Sequence, residues 1–148
     1  MNKLLLRRRL LAACASSLLA LQPLHAAGTE LVVIVSAKSQ VASMRAEQVA
    51  DIFLGQVGTF PDGAEAVALD QRIGTGLRDE FYARVTAKTP ALLKAYWTKM
   101  IFTGRGQPPQ EAPDSAAVRR MVADNPALIG YIDKAALDHS VKAVLVVR

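Results

Sequence analysis

The chain has 148 residues, 51% of them hydrophobic and 5% aromatic, with 18 Lys and Arg against 13 Asp and Glu. A single Cys and two His exclude a disulfide scaffold and leave no His/Cys set for a metal centre. The basic excess sits at the start: Lys3, Arg7, Arg8 and Arg9 account for four of the 18, so without them 14 cations face 13 anions, a net charge of +1 with no basic, aromatic-laced patch for nucleic acid. Those four lie in a segment with the anatomy of a secretory signal peptide. Met1–Arg9 is basic, Leu10–Leu21 is apolar but too short to span a bilayer, and the stretch to Ala27 ends in small residues. We expect residues 1–26 to be removed, with the cut after Ala26 or, as the alternative, Ala27. Leu11-Ala12-Ala13-Cys14 spells a lipoprotein-type box, but a lipid-anchored Cys normally follows the apolar run, whereas Cys14 lies inside it. Arg7-Arg8-Arg9 leaves the twin-arginine export route open beside the general one.

Residues 27–148 then form one α/β domain, since 122 residues suffice for one core and not for two. Glu30–Ser36 is a β-branched run, apolar on both faces, as in a central strand of a covered sheet. Ala37–Ala42 reads as a loop. From an N-cap at Ser43, a helix buries Val49, Ile52 and Phe53 and stops at Gly55. A turn-rich loop over Gln56–Gly63 leads to a strand at Ala66–Leu69. Next come the Gly74-Thr75-Gly76 turn and a helix to about Lys88. Thr89-Pro90 opens another helix, with Thr89 as cap and Leu93, Trp97, Met100 and Ile101 on the face turned to the sheet. Two glycines and two prolines make Phe102–Gln110 a shaped loop. Asp114 or Ser115 caps a helix that buries Ala117, Val118, Met121 and Val122 and leaves Arg119 and Arg120 solvated. Asn125-Pro126 ends it. A strand at Ile129–Ile132, a helical turn at Lys134–Asp138 and a strand at Val141–Val147 close an α/β sandwich with a mixed or mostly parallel sheet.

Ligands collect at the carboxyl ends of strands in such sheets, and the Gly74 loop is such an end. The first amides of a helix lack partners within it, and the helix dipole adds positive charge there, so an anion can bind with no special side chain. Gly74 and Gly76 allow close approach, and the Thr75 hydroxyl can either donate to the anion or cap the helix. A turn with an ordinary N-cap is the alternative reading. Leu77, Phe81 and Val85 would face the core, with Arg78, Asp79 and Glu80 turned elsewhere. Asp70 either orients a ligand proton or caps the loop. Asp79 and Glu80 are adjacent, hence on different faces, and suit the helix dipole rather than acid–base catalysis. With His139 the sole histidine after the leader, we expect no enzyme, no cofactor and no metal. Tyr96, Trp97 and Tyr131 read as core or rim aromatics.

Four segments in this order resemble the phosphate-binding proteins of bacterial phosphate ABC transporters: Val49–Gly55, Val67 through the Gly74-Thr75-Gly76 turn to Phe81, Trp97 with Gly104-Arg105-Gly106, and Asn125–Ile132. In that family two α/β lobes close on the anion, which is held by amides at helix starts, hydroxyls and an arginine. The resemblance covers one lobe and implies a single periplasmic-binding-protein-like domain with a mixed β-sheet flanked by helices. It implies a phosphate or similar oxyanion site at Gly74, Thr75, Gly76 and Leu77. The family's Gly-Ser-Gly-Thr run reads Gly74-Thr75-Gly76-Leu77 here, one hydroxyl short. Its arginine falls nearest Gln71, with Arg72 and Arg78 as stand-ins. Half a cage implies weak binding unless a homodimer, an ABC permease or another envelope protein supplies the second wall. The alternative is a periplasmic interaction module that keeps the fold without high-affinity ligand binding.

Overall fold

The computed structural model describes residues 29–148, and the signal-peptide reading lies outside them. Strand β1 (Leu31–Ser36) is buried along its whole length. Alternation sends Leu31, Val33 and Val35 to one face and Val32 and Ile34 to the other, and each set joins a separate apolar cluster. A strand that feeds two cores needs apolar residues on both faces, which its sequence carries from Leu31 to Val35; Ser36, at its end, is buried with its hydroxyl donating to the Ala123 carbonyl at 3.1 Å.

Helix α1 is Ala46–Phe53, β2 is Val67–Gln71, α2 is Gly76–Thr86 and α3 is Pro90–Phe102. They are followed by β3 (Gln110–Ala112), α4 (Ser115–Asp124), β4 (Leu128–Asp133), a 3-10 turn at Lys134–Ala136 and β5 (Val141–Val147). The sheet order is β3-β2-β4-β1-β5. β2 runs parallel to β3 and β4, while β1 is antiparallel to β4 and β5. The sheet is therefore mixed, as expected. Helices α1 and α2 cover one face around Phe53, Phe81 and Tyr131, with the Phe81 and Tyr131 rings stacked at 3.9 Å, and α3 adds Leu93 and Trp97 to the same cluster from beyond them. α4 covers the other through Ala117, Val118 and Val122. There β4 comes so close that a Cβ on Gly130 would stand 2.5 Å from Val118 Cγ1.

Four expectations need correction. α1 starts at Ala46 rather than after Ser43. Met44 N–H donates to the Val144 carbonyl at 2.9 Å, which holds the preceding residues against β5, and the Gln48 side chain accepts from Arg45 N–H at 3.0 Å to open the helix. α3 packs on α2 and ties to the end of α1, where the Tyr96 hydroxyl donates to the Leu54 carbonyl at 2.6 Å; it does not lie flat on the sheet. Ile101 is consequently half exposed, at 52%. Arg119 is pinned rather than solvated, donating to the Ala136 carbonyl at 2.7 Å and pairing with Asp138 at 3.2 Å. β3 has no counterpart among the expected elements: it starts at the last residue of the Phe102–Gln110 loop, is three residues long and lies at the sheet edge, where prolines just before it cost no ladder bond. The remaining punctuation is as expected. Gly55 takes φ +69° past α1, Thr89 Oγ1 accepts from Leu92 N–H, and Asp114 caps α4.

Candidate functional site

The end of β2 is organised by Asp70, which is 1% exposed. Its carboxylate accepts from Gln71 N–H at 2.8 Å, from Arg78 Nε at 3.1 Å, from the Tyr82 hydroxyl at 2.8 Å and from the Tyr131 hydroxyl. A buried carboxylate is tolerated only when paired and bonded in this way. Burial first, then the adjacent Asp70 charge, pushes both phenols far above the ordinary tyrosine range, so each stays a donor. Asp70 is thus a staple joining β2, α2 and β4, and neither of its two expected roles describes it.

Arg78 differs most from expectation. It is buried, with its guanidinium carbon 5.0 Å from the Tyr82 ring centre, and it turns toward Asp70 instead of away from the core. Gln71 is also buried, its side-chain amide donating to Ser115 Oγ at 3.1 Å and to the Tyr131 carbonyl at 2.9 Å. Arg72 is exposed, and its carbonyl accepts the Thr75 hydroxyl at 3.0 Å. Gly74 turns the chain at φ +88°, and Glu111 of β3 accepts from Ile73 N–H, steadying the turn.

A cleft of about 820 Å³ opens above the turn, bordered by three helical starts: Thr75–Leu77 of α2, Asp114–Ala116 of α4, and Asp133 before the 3-10 turn. Asp114 caps α4 through Ala117 N–H at 2.8 Å, and Asp133 caps the 3-10 turn through Ala135 N–H at 2.9 Å. Thr75 makes no such bond, because its hydroxyl has gone to Arg72. The start of α2 is therefore left without a side-chain cap. Ser115 lines the same cleft and accepts from both Gln71 and Asp133 N–H, which leaves its own proton available. Its role as a hub for Gln71 was not legible, since Ser before a helix reads simply as a cap.

The charges in this cleft oppose an anion. Among the described residues Glu80, Asp114 and Asp133 line it and no Lys or Arg does, although Glu80 pairs with Arg84 at 2.9 Å. Of the expected site residues, Gln71, Thr75, Gly76 and Leu77 are together on the cleft; Arg72, Gly74 and Arg78 are not among its lining residues. Among the described residues there is no group of three or more His, Cys, Asp or Glu that could hold a metal, and no helix is long and apolar enough to cross a membrane.

No family model matches the chain, and no curated protein matches it. Solved structures do. It is similar to a protein of Clostridium perfringens assigned as a phosphate ABC transporter substrate-binding protein and solved with bound phosphate, at 25% identity and a TM-score of 0.62, over 78% of this chain and 44% of that one. An ABC-type phosphate transport receptor from Vibrio cholerae aligns at 17% identity and a TM-score of 0.62, over 78% and 45% of the two chains. PstS from Borrelia burgdorferi aligns at 15% and 0.56, over 78% and 46%. The last two likenesses are of fold alone. The chain spans less than half the length of each structure, and over that span it is a single-lobe structural relative of the phosphate ABC transporter substrate-binding proteins.

Proposed function

We propose that this chain is an exported, periplasmic oxyanion-binding lobe, not an enzyme, that takes phosphate at the start of α2. The observation that carries this reading is the absence of a side-chain cap on α2, where Thr75, Gly76 and Leu77 face a cleft shared with Ser115. Free amides and the Ser115 hydroxyl supply donors to the oxygens of an anion. Glu80, Asp114 and Asp133 set the terms: they repel bare negative charge and can accept a ligand proton, so a protonated phosphate should bind better than sulfate. One lobe satisfies only part of the oxygen shell, so binding alone is weak, and a second copy or an envelope protein such as an ABC permease would complete it.

Calorimetry and amide NMR with phosphate and sulfate test this. Expected are millimolar phosphate binding that shifts the Gly76 and Leu77 amides, strengthens from about pH 8 to about pH 6 as phosphate gains a proton, and exceeds that of sulfate. Thr75→Asp, which puts a carboxylate where it can cap α2, should abolish it with the fold intact. Silence at tens of millimolar phosphate removes the ligand reading. A second reading, an interaction module that keeps the fold, is favoured by the carboxylate lining of the cleft. It predicts partner capture from envelope extracts that changes within the exposed loops 55–63 and 104–109 weaken, with no response to phosphate.

A further inference from the structure

A second cavity, of about 590 Å³, lies on another side of the α2 start, walled by the Gly74 turn, α3 and Pro108. Its volume falls within the range of small-molecule sites, and its walls are mostly apolar: Ile73, Pro90, Leu93, Trp97 and Ile101. Ile73 is 68% exposed and Ile101 52%, exposures that nothing in the packing of the lobe requires.

The Arg78 guanidinium breaks this apolar wall. Arg78 lines it and gives only its Nε–H to Asp70; among the described residues the two terminal nitrogens of its guanidinium donate to no acceptor. A guanidinium carries five donors in a planar fork, and the terminal pair suits the two oxygens of a carboxylate. Lys94 adds a cation to the lining beside Asp79, while the charge of Arg78 is balanced by Asp70 behind it and its terminal nitrogens stay on the cavity side. The Asp70 carboxylate behind Arg78 holds the fork in place.

We propose that this cavity binds a small carboxylic acid with an apolar body, its carboxylate on the terminal nitrogens of Arg78 near Lys94 and its body against Leu93, Trp97 and Ile101. The site is separate from the α2 cleft, whose lining includes neither Arg78 nor Trp97. Its ligand is also different, because inorganic phosphate has no apolar body to fill the groove.

Trp97 is the only tryptophan in the chain, so its emission reports on the surroundings of this one residue. The full folded lobe is titrated with octanoate, with octanol, which keeps the apolar chain without the charge, and with phosphate. Octanoate should shift Trp97 emission saturably and bind at least tenfold more tightly than octanol, and phosphate should leave the emission unchanged. Arg78→Lys keeps a cation for Asp70 but loses the fork, and should weaken octanoate at least tenfold. Because that change also touches the core, Ile73→Glu, at an exposed position, gives a second arm in which a like charge at the mouth should weaken octanoate while circular dichroism stays unchanged. Equal binding of octanoate and octanol, no emission change with octanoate, or undiminished binding in both variants would overturn the proposal.

Discussion

Asp70→Asn is the sharpest test of how the β2 end is held. Asparagine has the same shape, yet it turns one acceptor oxygen into a donor and removes the charge that balances Arg78. Four donors converge on the native carboxylate: Gln71 N–H, Arg78 Nε, and the Tyr82 and Tyr131 hydroxyls. In the variant at least one of them meets an N–H instead of an oxygen. Hydrogen bonds to a charged group contribute about 1.5–3 kcal/mol each, but four in one network do not add, and the desolvation of Asp70 offsets part of the sum. Breaking one side of a buried ion pair typically costs about 3–5 kcal/mol, and that is the expected loss here. A domain of this size has about 5–15 kcal/mol in all, so the variant should sit near the edge of folding. Equilibrium unfolding in urea measures the change, provided the slope with denaturant is unaltered. Tyr131→Phe, which removes one donor, should cost about 1.5–3 kcal/mol in the native background and much less in the Asp70→Asn background, a coupling only residues in contact show. A loss below about 1 kcal/mol for Asp70→Asn would refute the idea that this carboxylate staples the lobe.

Other outcomes follow from the same packing and charges. Gly130→Ala should destabilise by about 1–3 kcal/mol, since the new methyl would lie 2.5 Å from Val118 Cγ1, and adding Val118→Ala should restore part of the loss; equal stability of Gly130→Ala and the parent in urea would contradict this. The raised phenols of Tyr82 and Tyr131 make the protein sensitive to alkali. Their folded pKa lies above the unfolded value of about 10, so the stability they confer is complete below about pH 10 and lost as pH climbs past it, by about 1.4 kcal/mol per pH unit for each tyrosine. Phenolate absorbance from these two should therefore appear together with the loss of circular dichroism, and its appearance in an intact fold would count against their burial with Asp70. Glu80→Gln removes one of the carboxylates lining the α2 cleft and should strengthen phosphate binding about two- to fivefold, within the range of a charge near a helix start; unchanged or weaker binding by calorimetry would show that these charges do not oppose the anion.

Strand and helix placement was legible wherever one residue pattern served one layer. β1, apolar from Leu31 to Val35, reads as a strand between two cores, and Thr89-Pro90 reads as a helix start. Patterns failed where a residue answers to a distant partner. Arg78 has the periodicity of an outward residue, and only the folded chain shows that Asp70, eight positions earlier, draws it inward. Ile101 has the spacing of a buried residue, but its helix rests on α2 and the end of α1, and that position hangs over the rim of a groove. β3 exists only because β2 offers an open edge. The turn and the opening of α2 were readable from Gly74-Thr75-Gly76, whereas the carboxylates around the cleft come from three separate segments whose meeting no local pattern announces.

The inward turn of Arg78 also bears on the anion site proposed at the α2 start. Were the guanidinium to swing toward the cleft, Asp70 would be left as a buried carboxylate without its cation, at a cost of several kcal/mol. A single charged hydrogen bond to a solvated anion returns about 1.5–3 kcal/mol, so the ion pair wins and the arginine stays in the core. Arg72 is exposed on the turn and is not among the residues that line the cleft. The position nearest the family's arginine holds Gln71, whose side-chain donors are already spent on Ser115 and the Tyr131 carbonyl. Attraction in the cleft then falls to amide dipoles, equivalent to about half a positive charge at a helix start, against three carboxylates on the lining. With that balance the proposed site would select ligands by the proton they carry more than by their charge.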